Sequence, residues 1–218
     1  MTYYFSRVRL VAQLTRNEWL RDLARHGEPY RDHALIWRLF PGDGLPRDFI
    51  FRSLDERTYY VVSARLPQTQ DGLFEVQSKS YQPRLQMGEW LRFDLRANPT
   101  VSRREPGKAS QRHDVLMDAK RRAKHLDEVP LAQEAAGREW LMKRAENWGL
   151  AVQPQSLMQD GYRQHRLNRK GYGIGYSTLD YQGVAQVIEP DRLCKALQEG
   201  VGHSKGFGCG LLLIKRLE

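Results

Sequence analysis

A histidine at position 33 and a glycine-rich segment at positions 200–210 are the parts of this chain whose residue types and spacing could do chemistry. His33 lies in the run Pro29-Tyr30-Arg31-Asp32-His33-Ala34-Leu35-Ile36-Trp37-Arg38-Leu39-Phe40-Pro41-Gly42. Proline is favoured at the first helical position and Pro-Gly stops a helix, so the punctuation predicts a helix between them. Tyr30, His33, Trp37 and Phe40 then fall on one stripe. An imidazole in the first or second turn is biased toward its neutral form by the helix dipole, which leaves a base available near neutral pH. Tyr30, one turn earlier, could bring a phenol to the same reacting group. The same stripe would equally serve packing alone.

Between Gly200 and Gly210 stand five glycines, with Gly202-His203-Ser204-Lys205-Gly206 at the centre. Successive backbone N–H groups in such a loop form a concave anion site, and Lys205 adds a positive charge. Two familiar phosphate motifs are excluded by order. A P-loop places its lysine after the last glycine and before a helix, whereas Lys205 precedes Gly206 and an apolar, strand-like run follows. A dinucleotide fingerprint requires strand, loop and helix in that order, and here a helix-like segment comes first. A tight helix-to-strand connection is the plainer alternative.

The elements that must position these groups follow from the rest of the chain. Formal net charge is +9 over 218 residues, which favours a polyanionic partner, nucleic acid before an acidic membrane. No apolar run approaches the length of a membrane span, and a signal-peptide core is absent from the start of the sequence. Cys194 and Cys209 lack metal-ligand spacing, so the expectation is a cytoplasmic protein with no metal and no cofactor. Up to residue 86 the patterns read strand, helix, hairpin, short connection, strand. From residue 87 a second unit repeats the order: strand 90–97, a helix through Trp140 ending at Trp148-Gly149, strands, a helix from Pro190, and strand 211–215. The fold class expected is α+β, two tandem ferredoxin-like (RRM-like) βαββαβ domains, 1–86 and 87–218.

Two basic segments interrupt the second unit. Residues 103–124 hold eight basic and three acidic residues with little apolar periodicity, the pattern of a solvated, mobile insertion. Residues 162–176 interleave Arg163, Arg166, Arg169 and Lys170 with three tyrosines, a pattern suited to RNA backbone and bases. As a hairpin arm this segment could enter a duplex groove, and as a twisted strand it would carry only a solvated basic face.

The run from Tyr30 to Pro41, the turn Leu95-Arg96-Ala97-Asn98-Pro99-Thr100 and the ending Gly200–Leu212 together resemble the CRISPR-associated repeat-RNA endoribonucleases of the CasE type, subunits of the Cascade surveillance complex. That resemblance implies tandem ferredoxin-like domains, in agreement with the element tally. It implies catalysis by His33 and Tyr30. RNA would be held by Arg163, Arg166, Arg169 and Lys170 and by the loop Gly202, His203, Ser204, Lys205 and Gly206. The implied partners are a CRISPR repeat RNA stem-loop and other Cascade subunits, with a monomer when free. The implied reaction is metal-independent cleavage at the 3′ base of the stem-loop by 2′-hydroxyl attack. A non-catalytic scaffold that only caps a guide RNA is the competing expectation.

Overall fold

The computed structural model describes residues 2–11, 23, 28–42, 45–69, 72–104, 107, 109–169 and 172–217. The spacing of Trp19, Leu20 and Leu23 after a cap at Thr15 or Asn17 also predicts a helix, which falls outside these residues apart from the buried Leu23. Chain order begins β1 (Tyr4–Leu10), α1 (Glu28–Trp37), β2 (Phe49–Ser53), β3 (Thr58–Ser63) and β4 (Phe74–Ser80). These strands form one antiparallel sheet in the order β2-β3-β1-β4. Leu35, Ile36, Leu39 and Phe40 pack onto Val8, Leu10, Phe49, Phe51, Tyr59 and Val61 on one face of it.

The second half runs β5 (Trp90–Ala97), β6 (Thr100–Arg103), β7 (Gln111–Asp114), α2 (Val115–Arg122), α3 (Val129–Ala145), β8 (Leu150–Val152), β9 (Met158–Arg169), β10 (Tyr172–Val187), α4 (Pro190–Glu199) and β11 (Leu212–Arg216). Its sheet is ordered β11-β5-β10-β8, with β9 paired to β10. Leu91, Phe93 and Leu95 on one face of β5 pack with Trp140, Leu141, Leu193 and Leu197 from α3 and α4. With β8 and β9 both on the outer side of β10, each half has the 4-1-3-2 strand order of a ferredoxin-like fold. The two tandem ferredoxin-like units are therefore present.

The faces of the two sheets that carry no helices meet each other. Ile50 and Val62 join Leu211 and are flanked by Tyr3, Phe5, Tyr60, Tyr81 and Leu213. Phe5 lies 5.1 Å from Tyr60 and 5.4 Å from Tyr81, ring centre to ring centre. Arg52, 8% exposed, crosses from β2 to pair with Asp94, while Asp180 accepts a two-pronged bond from Arg96 at 2.8 Å for each prong. Because both faces of β2 are covered, its sequence Phe-Ile-Phe-Arg-Ser shows no clean alternation.

The basic segment 103–124 differs from expectation. It is largely exposed, as a solvated segment would be, yet it carries regular structure: β6 and β7 pair as a two-stranded ribbon, and Asp114 caps α2 by accepting from the Met117 amide at 2.8 Å. The ribbon belongs to neither large sheet, and α2 buries only Val115 and Leu116, so little apolar periodicity was available to reveal them. Arg103 and Arg122 both reach Asp118, at 2.7 and 3.2 Å, which absorbs part of the charge. Among the described residues no helix is long and apolar enough to cross a membrane.

Candidate active site and nucleic-acid interface

The loop after α4 is shaped by backbone closures that few residue types tolerate. Val201 N–H donates to the Gly210 carbonyl at 2.9 Å, and Gly210 N–H donates to the Arg96 carbonyl at 2.8 Å. At Gly210 φ is +87°, and a β-carbon there would stand 2.2 Å from the Val201 carbonyl oxygen. Glycine is required at that position on both counts. Ser204 also adopts the left-handed region, with φ 56° and ψ 29°. Asn98, 7% exposed in the turn after β5, donates from Nδ2 to Ser204 Oγ at 2.7 Å and holds it there. From Ser204 the chain makes one 3-10 turn, Lys205–Phe207.

That turn meets α1. His33 Nδ1 lies 2.8 Å from the Gly206 carbonyl oxygen. A carbonyl can only accept, so Nδ1 carries the proton and the basic lone pair of the neutral ring sits on Nε2. Phe207 stacks on the imidazole at 5.3 Å, Tyr176 on Phe207 at 5.1 Å, and His165 on Tyr176 at 4.6 Å. This column of rings fixes the plane of His33. Its position in the second turn of α1 lies beyond the first-turn range of a helix dipole, so the Gly206 carbonyl governs the ring instead. Tyr30 packs on both sides of this junction, its ring centre 6.5 Å from that of His33.

The structure thus brings His33, Tyr30 and Gly206 together, and it places the other expected residues less uniformly. Lys205 turns back, donating from Nζ to the carbonyls of Glu199 and Gly200 at 2.8 and 2.7 Å, where it caps α4. Burial, and then the nearby Arg47 charge, hold its pKa below the usual lysine value. Gly202 and His203 are exposed on the rim of the loop. Burial first, and then Arg112, Arg144 and Lys205, push the His203 imidazole below its ordinary value.

The basic hairpin is β9–β10, with Arg169 opposite Tyr172. Three residues apart on a strand, Arg163 and Arg166 point to opposite faces. Arg163 lines a hollow of about 170 Å3 with Asp32, Arg96 and Phe207, while Arg166 lines a larger one with His203 and Ser204. Lys170 and the side chain of Arg169 lie outside the described residues.

Sequence reasoning missed several participants. Arg47 projects from the loop before β2 to within 3.1 Å of where a Gly206 side chain would begin, and nothing in its local sequence marks it. Phe207 and Tyr176 were visible only as members of aromatic-containing segments. Asn98 sat in a recognisable turn motif with no role attached.

The family model for "CRISPR associated protein" matches residues 3–216. The chain belongs to that family. Among its CRISPR-associated relatives, the Cascade subunit CasE of Escherichia coli is 29% identical over 205 residues, covering 91% of this chain and 94% of the relative. The CRISPR-associated endoribonuclease Cse3 of Thermus thermophilus is 29% identical over 192 residues, covering 83% and 79%. A solved structure of Cse3 bound to a 19-nucleotide RNA superposes with a TM-score of 0.70 at 23% identity, covering 98% of this chain and 99% of that one. That likeness supports the tandem ferredoxin-like fold of this CRISPR-associated chain.

Proposed function

We propose that this protein is an endoribonuclease that cuts CRISPR repeat transcripts at the 3′ base of the stem-loop and stays bound to the product within a Cascade complex. The observation that carries the reading is the bond from His33 Nδ1–H to the Gly206 carbonyl, which joins an imidazole to a glycine-rich cationic turn. The names of the curated relatives, a Cascade subunit and a CRISPR-associated endoribonuclease, support the substrate class.

His33 Nε2 takes the proton of the ribose 2′-hydroxyl as the 2′-oxygen bonds to the adjacent phosphorus. The bond from phosphorus to the 5′-oxygen breaks, that oxygen takes a proton from solvent, to which the imidazolium later returns one, and a 2′,3′-cyclic phosphate remains. The substrate supplies its own nucleophile, so the scheme needs no metal. The imidazolium formed keeps its Nδ1–H···O bond to Gly206, and this pairing stabilises the charged ring. Positioned proton transfer of this kind contributes about 10²–10⁴-fold. Tyr30, whose phenol can both donate and accept a hydrogen bond, serves to orient the ring or bond the phosphate. Arg47 and the amides of Lys205 and Gly206 offer donors to the charge that develops on the phosphate oxygens. Arg166 grips RNA beside the turn.

The test is incubation of a repeat hairpin with excess protein in EDTA. One cut, abolished by a 2′-deoxy substitution at the scissile nucleotide and by His33→Ala while hairpin binding persists, is the expected result. Tight binding without a cut would establish the non-catalytic scaffold instead.

A further inference from the structure

Three pieces of chain far apart in sequence close around one polar cavity of about 460 Å3. The β6–β7 ribbon supplies Arg112 and His113, β9 supplies Arg166, and the glycine-rich loop supplies His203 and Ser204. Among the described residues lining it, Asp114 is the one acid, and its two oxygens already accept from Met117 N at 2.8 Å and Tyr162 Oη at 3.0 Å. Arg112 and Arg166 together outweigh that single carboxylate, so the hollow keeps a net positive charge. Such an excess of one sign, focused by a concave surface, attracts an anion. The depressed His203 titration, caused in part by Arg112, registers the same crowding of positive charge.

Size and position narrow the class of anion. The volume suits one small ligand and is too narrow for a duplex. Ser204 lines the cavity and begins the turn whose Gly206 carbonyl orients His33, so the hollow adjoins the proposed scissile linkage. The exposed Gln164 amide oxygen and the Ser204 hydroxyl at its rim offer hydrogen-bonding groups suited to a ribose or a base edge.

We infer that this cavity binds a single-stranded nucleotide of the RNA flanking the stem, with a backbone phosphate between Arg112 and Arg166. The inference rests on the endoribonuclease reading and extends it to a site beyond the stem. It also accounts for the β6–β7 ribbon, which is the outer wall that turns an open strand face into a pocket.

The test compares hairpins blocked by a 2′-deoxy scissile nucleotide, one blunt and one carrying single-stranded flanks, against wild type, Arg112→Gln and His113→Gln. Arg112 is exposed on the ribbon, and circular dichroism checks that each variant folds. Wild type should bind the flanked RNA about tenfold more tightly than the blunt one, the scale of a charge-assisted contact. Arg112→Gln should reduce that ratio to within about twofold, and the slope of log affinity against log salt for flanked RNA should become shallower by about 0.7. A reduced ratio in His113→Gln would support the same site. A wild-type ratio of one, or a ratio unchanged in both variants, would overturn the inference while leaving the hairpin reading intact. Failure of wild type to bind even the blunt hairpin would overturn both.

Discussion

Ser204 gives a graded test of how the candidate site is held. It is a non-glycine residue in the left-handed region, and its hydroxyl receives the Asn98 amide at 2.7 Å. Ser204→Ala keeps the unfavourable backbone geometry and removes the acceptor, leaving a buried donor short of a partner, at a cost of about 1–3 kcal/mol. Ser204→Gly loses the same acceptor but relieves about 1–2 kcal/mol of left-handed strain. Its greater freedom in the unfolded chain takes back about 0.4–1 kcal/mol. The glycine variant should therefore be more stable than the alanine variant by about 0.8 kcal/mol, the difference between those two ranges. Asn98→Ala combined with Ser204→Ala should show a coupling of about 1 kcal/mol. Urea unfolding followed by tryptophan fluorescence measures each value, read from the midpoint at constant slope. A glycine variant less stable than the alanine variant would refute the strain argument, and zero coupling would refute the Asn98 bond.

Two glycines of the same loop should respond very differently to alanine. At Gly210 the new β-carbon meets the Val201 carbonyl oxygen at 2.2 Å, and thermal unfolding should register a loss of about 3–5 kcal/mol. At Gly206 its nearest neighbour is the flexible end of Arg47 at 3.1 Å, followed by His33 Nδ1 at 3.5 Å. Gly206→Ala should therefore stay folded and lose single-turnover cleavage rate instead. His203 should titrate below 6.5 in the free protein, because burial and the cations Arg112, Arg144 and Lys205 disfavour its charged form. The unfolded chain protonates first as pH falls through 6.5, so this group lowers stability progressively below that pH, and the loss levels off once the folded imidazole also charges. Bound phosphate should raise the value, and NMR titration with and without RNA measures both; a free-protein value at or above 6.5 would refute the crowding.

The repeating pattern of the two halves was legible because each element carried local punctuation. Pro29 lies in the first turn of α1, which stops at Trp37, one turn before Pro41-Gly42 and with Phe40 beyond its end, and Gly149, with φ +86°, ends the helical segment after α3. The stripe through His33 was legible for the same reason. What stayed hidden depended on tertiary closure. Lys205 reads as a free cation in sequence, yet the returning carbonyls of Glu199 and Gly200 claim it. Arg47 becomes part of the site only because the loop before β2 meets a turn 159 residues later. The ribbon β6–β7 was hidden because its strands are four residues each and only Thr100 is buried, too little to impose alternation.

The meeting of the two sheets has a consequence for how such a protein can change. In a lone RRM-like unit, ring substitutions on the sheet would strike the ligand directly. Here Phe5 and Tyr60 are committed to holding one half against the other, so their loss would first misalign His33 with the carbonyl that orients it. Specificity is then written on the connecting segments, which can be lengthened, recharged or exchanged while the paired platforms keep their shape.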